Sequence, residues 1–153
     1  MIWPWLVAAA VLLVLFLALM WRVGAAAGSP KLALERFTSQ RDALRHAFFL
    51  TASSSGKPRG LVWKSIEWHE GVVLVRERQT RRLAALVGVT IAFDAVAGGE
   101  MEGVAAVGNL RHGSATFFYH RGAWHAAGKT IFNLLPDEAV ERFAAQYERV
   151  TPS

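Results

Sequence analysis

The pattern of apolar and polar residues divides the chain into an uncharged opening segment and a mixed remainder. Between Ile2 and Trp21 there is no charged residue, and eleven of the side chains are Leu, Ile, Val or Phe. As a helix, this segment would rise about 30 Å, which matches the hydrocarbon core of a bilayer. The pattern therefore predicts a transmembrane anchor over residues 1–22, with the lipid bilayer as its partner through residues 2–21.

Residues suited to the membrane–water interface flank this segment. Trp3 and Trp5 stand near one end, and Trp21 and Arg22 stand at the other. Indole rings favour the level of the lipid headgroups, where a basic side chain also meets anionic lipids. We interpret these four residues as membrane-interface anchors.

A cleaved signal peptide is the alternative interpretation of the same segment. Gly24–Ser29 would supply the small residues of a cleavage site. However, no Lys or Arg precedes the apolar run, and the run exceeds the roughly 7–15 apolar residues of a signal peptide. We therefore favour an anchor that is retained.

Charge is distributed unevenly along the rest of the chain. From Arg22 to Arg82 there are twelve Lys or Arg and five Asp or Glu, a net charge of +7. From Leu83 to Ser153 there are five basic and seven acidic residues, a net charge of −2. Because basic residues after a span favour the cytoplasmic side, we expect a cell-membrane protein with a cytoplasmic C-terminal domain. An exported domain is the alternative.

Hydrophobic periodicity predicts a short linker over residues 23–30 and one domain over residues 31–153. Apolar residues at helical spacing predict a helix from about Pro30 to Thr51. A second helix is predicted to open at Pro136 and to continue to Val150.

About five strands are expected between these two helices. Leu61–Trp68 and Val72–Gln79 flank a connection of hairpin length, and a second apparent hairpin turns at Arg121-Gly122. Leu86–Val96 alternates between apolar and polar residues more clearly than any other segment. Short connections favour antiparallel pairing, so the predicted fold class is α+β with an antiparallel sheet.

The loop at Ser53–Gly60 contains a Gly-Lys pair, as phosphate-binding loops do. It lacks the rest of their motif, because Thr51 stands at the first glycine position and Pro58 follows Lys57. We therefore interpret it as a connection between a helix and a strand.

Four basic residues in and after this loop are candidates for binding an anion or a lipid headgroup. They are Lys57, Arg59, Arg76 and Arg78. Alternation along a strand would place Arg76 and Arg78 on the same side. A partner is expected to be an anionic lipid or an acidic protein surface, and a solvated basic surface is the simpler interpretation.

His120 and His125 are the candidates for a metal site. A two-residue turn at Arg121-Gly122 would place Tyr119 opposite Trp124 and the two imidazoles on the other face of the hairpin. No third ligand follows at a recognisable spacing, so we predict neither a metal nor another cofactor.

The sequence contains no recognisable catalytic motif. There is no G-x-S-x-G, no H-E-x-x-H and no cysteine. Membrane attachment argues against nucleic acid as a partner, although the chain is basic. We therefore expect a non-catalytic interaction or accessory module. The alternative is a small-ligand-binding or hydrolytic domain with a pocket between the sheet and the helices.

Overall fold

The computed structural model describes residues 11–17, 29–55 and 59–152 of the chain. Within these ranges the protein has four α-helices, a short 3₁₀ turn and six strands. The helices are α1 (residues 11–17), α2 (Pro30–Ser39), α3 (Arg41–Ser55) and α4 (Pro136–Arg142). The strands are β1 (Leu61–Trp68), β2 (Val73–Glu77), β3 (Leu83–Ala95), β4 (Arg111–His120), β5 (Ala123–Phe132) and β6 (Tyr147–Arg149). The α+β class is confirmed.

All the strands pair antiparallel in one sheet, in the order β5-β4-β3-β2-β6, with β1 also paired to β3. The 13-residue strand β3 is the centre of this sheet. Val87, Val89 and Ile91 face one side of the sheet, as the alternation predicts, and all three are buried.

The predicted hairpin between β1 and β2 is wrong. Both strands pair with β3 along the same edge, β1 with its second half and β2 with its first half. Between them the chain continues along β3, where His69 donates its backbone N–H to the Gly88 carbonyl at 2.9 Å. The physical reason is the length of β3, because an edge of about 40 Å accommodates two short strands end to end. The hairpin instead joins β2 to β3.

The helix predicted from Pro30 to Thr51 is divided into two at Gln40, whose φ of −105° and ψ of 9° are not helical. Two hydroxyl side chains weaken the helix beside the break. Ser39 donates to the Arg36 carbonyl and Thr38 to the Leu34 carbonyl, both at 3.0 Å. Such bonds compete with the backbone bonds that would continue a helix.

The C-terminal helix is shorter than predicted. It ends at Arg142, and Tyr147 begins strand β6, where Val150 had been expected to extend the helix. The tertiary environment decides this, because β6 pairs with the open edge of β2 and buries the Tyr147 ring beside Val75. The apolar residues Tyr147 and Val150, whose spacing predicts a helix, therefore belong to strand β6 and the residue that follows it.

The sheet carries a hydrophobic core on each face. Helices α2 and α3 cover the first face with an aromatic cluster. In this cluster the centroid of the Phe37 ring lies 5.2 Å from that of Phe117 and 5.1 Å from that of Trp124. Helix α4 covers part of the second face, around Leu86 and Ala139, where Tyr147 of β6 belongs to the same cluster. These contacts fix which sheet residues remain open to solvent.

Among the described residues, no helix is both long and apolar enough to cross a membrane. Most of the segment predicted as an anchor lies outside the described residues, as do residues 23–28 of the linker predicted over residues 23–30 and the interface anchors Trp3, Trp5, Trp21 and Arg22.

Candidate functional site

The basic residues predicted as an anion site are divided between the two ends of the sheet. Arg59 is exposed just before β1, which begins opposite the last residue of β3. Arg76 pairs with Leu83, the first residue of β3. The structure therefore places Arg76 and Arg78 close together and about 40 Å along the strand from Arg59. Lys57 lies outside the described residues.

A dense group of arginines surrounds the turn between β2 and β3. Because Ala84 of β3 lies opposite Phe118 of β4, this turn stands beside the turn between β4 and β5. We call this surface the arginine end. Its members are Arg76, Arg78, Arg81, Arg82 and Arg121.

Two glutamates partly neutralise the arginine end. Glu148 lies 3.6 Å from Arg78 and 3.5 Å from Arg81, and Glu77 lies 3.5 Å from Arg82. The side chains of the Glu148 pairs are about half exposed or more, so these ion pairs contribute little to stability, whereas Glu77 is 26% exposed. The ion pairs lie on both faces of the sheet, and five arginines against two glutamates leave this end with a net positive charge.

His120 and His125 occupy the positions expected for them. Tyr119 lies opposite Trp124 across the hairpin, and both histidines are exposed on the other face. In the described part of the chain, no three His, Cys, Asp or Glu side chains are grouped closely enough to hold a metal ion.

A hydrogen-bonded group that the sequence does not reveal lies on the second face of the sheet. The Thr90 hydroxyl is 2.9 Å from His69 Nε2 and 3.2 Å from His112 Nδ1. Thr90 is buried on β3, His69 follows β1, and His112 lies on β4. We call these three residues the His–Thr–His group.

One hydroxyl limits the directions of the two hydrogen bonds in this group. Because a hydroxyl has a single hydrogen, Thr90 donates to at most one imidazole, and at least one of the two rings donates its N–H to the Thr90 oxygen. One hydroxyl thus links His69 and His112, whose ring centroids are 6.5 Å apart.

A glycine makes room for the first imidazole. A Cβ atom added at Gly88 would lie 2.8 Å from His69 Nδ1, which is closer than side chains pack. The signal available in the sequence was a polar Thr90 and a Gly88 in the apolar middle of a strand. It did not identify the histidines, which are 21 and 22 residues from Thr90.

Open clefts flank the His–Thr–His group. One of about 340 Å³ includes His69 and Arg149, and another of about 330 Å³ includes Arg111, His112 and Asn133. Leu135 borders both clefts, so the start of α4 separates them.

The space beneath α2 and α3 is closed. Around Phe37, Arg45, Trp68 and Phe117, the described residues leave no volume for a water molecule. The two clefts beside the His–Thr–His group lie away from this filled site.

No protein-family model, curated protein or solved structure matches this chain.

Proposed function

We propose that this protein is a single-pass, membrane-anchored module whose cytoplasmic domain binds an anionic membrane surface and does not catalyse a reaction. Two features favour this function. The uncharged segment Ile2–Trp21 has the length and composition of a membrane anchor. A surface with excess positive charge would then be held close to lipid headgroups.

The arginine end is the observation that carries the proposal. The arginine end contains five arginines and two glutamate carboxylates, so its net charge is positive even with its ion pairs formed. A basic residue near an anionic leaflet contributes about 1 kcal/mol of attraction. Arginine also binds phosphate through paired N–H donors, which suits phospholipid headgroups.

Hydrogen–deuterium exchange of the full-length chain in nanodiscs tests this function. We expect the turn from Arg78 to Arg82 to exchange more slowly in discs of phosphatidylcholine mixed with phosphatidylserine than in phosphatidylcholine alone. Raising the salt from about 0.01 M to about 1 M shortens the Debye length from about 30 Å to about 3 Å and should abolish the difference.

The double variant Arg81→Gln, Arg82→Gln should lose this protection, because it removes two of the exposed charges. Lys129→Gln, an exposed change on β5, is the matched control and should keep it. Equal exchange in both kinds of disc at low salt would contradict the lipid proposal. Retention of an acidic protein by the arginine end, in place of lipid, would reassign the partner.

A hydrolytic domain is the second candidate, and the Thr90–His69 pair is the arrangement that favours it. A hydroxyl 2.9 Å from an imidazole is the geometry of a nucleophile and its base. However, Thr90 is 7% exposed and its hydroxyl is shared with His112. We therefore favour binding over catalysis.

A further inference from the structure

The end of the sheet opposite the arginine end combines a polar cleft with an apolar one. The polar cleft of about 330 Å³ is lined by Arg111, His112 and Asn133. The apolar cleft of about 230 Å³ is lined by Leu61, Phe93 and Phe132, and it shares Arg111 and Asn133 with the first. The two clefts open on opposite faces of the sheet and share these two residues where β4 begins, and we call them together the β4 groove.

Polar side chains line the first cleft of the β4 groove. Arg111 is exposed, and no ion pair in the described part of the chain includes it. Thr90 engages His112 through Nδ1, which leaves Nε2 as the ring nitrogen available to a ligand. Asn133 adds an amide group. A guanidinium with an amide N–H donor beside it favours an anionic oxygen.

The backbone holds Asn133 at this position. The Asn133 backbone N–H donates to the His112 backbone carbonyl at 2.8 Å. The φ of Asn133, 62°, lies in the left-handed region that asparagine tolerates better than most residues. The Glu138 carboxylate also borders the polar part. It accepts the Leu135 backbone N–H at 2.8 Å, so it is engaged in capping α4.

The apolar part of the groove offers an aromatic wall. The rings of Phe93 and Phe132 lie 6.3 Å apart, and Phe132 is half-buried. Exposed apolar side chains continue around this end of the sheet, with Leu110 60% and Val104 41% exposed. Apolar surface left open beside a polar cleft is typical of a site for an amphipathic molecule.

We propose that the β4 groove binds an amphipathic anion, with a carboxylate or phosphate at Arg111, His112 and Asn133 and an apolar tail against Leu61, Phe93 and Phe132. Such an anion is supplied either by a free amphiphile or by a bilayer lipid. The site is distinct from the arginine end and does not depend on membrane attachment of the chain.

Titration of the full-length chain with sodium octanoate tests this site. The chain is held in phosphatidylcholine nanodiscs, and binding is followed by the NMR shifts of the His112 and Asn133 amides. Variants are compared in the same discs, so that partition of octanoate into lipid affects them equally. We expect saturable shifts, and apparent affinity about tenfold or more weaker for acetate, which lacks the tail, and for 1-octanol, which lacks the charge.

Arg111→Gln should weaken octanoate binding about tenfold, because it removes the charged partner of the carboxylate. Arg142→Gln, an exposed change on α4 outside the groove, should leave the affinity unchanged. Octyl phosphate in place of octanoate identifies the preferred headgroup. Competition by phosphatidic acid in the discs would assign the ligand to the bilayer, and binding without competition would assign it to a free amphiphile.

Two results would overturn the site. One is the absence of saturable octanoate shifts at His112 and Asn133. The other is equal octanoate affinity for Arg111→Gln and the unmodified chain. Absence of lipid protection at the arginine end would contradict the proposed function but would leave the β4 groove unaffected. Octanoate binding is measured at His112 and Asn133, which lie at the opposite end of the sheet.

Discussion

Thr90 joins two imidazoles through one hydroxyl, although it is buried among the apolar residues of β3. Its replacement by valine keeps the branched shape and removes both hydrogen bonds. We expect Thr90→Val to lower the free energy of unfolding by about 1–2 kcal/mol, measured by chemical denaturation. The His69 imidazole signals in NMR spectra should shift at the same time, because their partner is lost.

Thr116 provides a matched control for that substitution. It is also a buried threonine on the second face of the sheet, but its hydroxyl has no hydrogen-bond partner among the described residues. Thr116→Val should therefore be neutral or stabilising, since it removes a polar group that burial penalises. Equal losses of stability for Thr90→Val and Thr116→Val would show that the His–Thr–His bonds contribute nothing.

At the scale of elements, β6 is attached to the sheet through Tyr147. Burial raises the pKa of the Tyr147 phenol above its ordinary 10.0, and the negative charge of Glu77 on the neighbouring strand raises it further. Between the unfolded and folded pKa values, the unfolded state binds fewer protons than the native state. The titration of Tyr147 should therefore leave the free energy of unfolding unchanged below pH 10 and should lower it as the pH rises above 10.

Denaturation curves recorded at increasing pH measure this effect. Tyr147→Phe should flatten the alkaline decline, because the phenylalanine ring cannot ionise. Tyr119→Phe removes the other of the two tyrosines, so the tyrosinate absorbance of that variant reports Tyr147 by itself. A midpoint at the ordinary 10.0 in that variant would refute the burial of Tyr147 and the docking of β6.

At the scale of the whole molecule, the domain has two chemically different ends. The arginine end carries the excess positive charge, and the opposite end carries the β4 groove and exposed apolar side chains. A chain anchored through Ile2–Trp21 would present both ends to the same compartment, because they belong to one sheet.

Protease access to a C-terminal tag measures which compartment that is. Because arginines and lysines follow the apolar segment, we expect the tag to be digested in inverted vesicles and protected in intact cells. Insertion of several lysines after Met1 is the control, since it should weaken or reverse this orientation. Digestion of the tag in intact cells expressing the unmodified chain would favour the exported alternative.

The sequence by itself determined the features that depend on near neighbours. Alternation fixed the two faces of β3, and Arg121-Gly122 fixed the hairpin in which Tyr119 meets Trp124. Gly122, with a φ of 82°, supplies the left-handed conformation that a tight turn needs. Such features follow from turn chemistry and side-chain period, which are local properties.

The tertiary structure alone decided the pairing of distant segments. The alternation of a strand indicates which of its faces is apolar, but it does not indicate which strand is its neighbour. For this reason the sequence predicts that β1 pairs with β2, whereas β1 pairs with β3. The same reason explains β6, whose apolar residues at 147 and 150 also fit a helix. It explains the His–Thr–His group as well, because strand pairing alone brings His69 and His112 to the same hydroxyl.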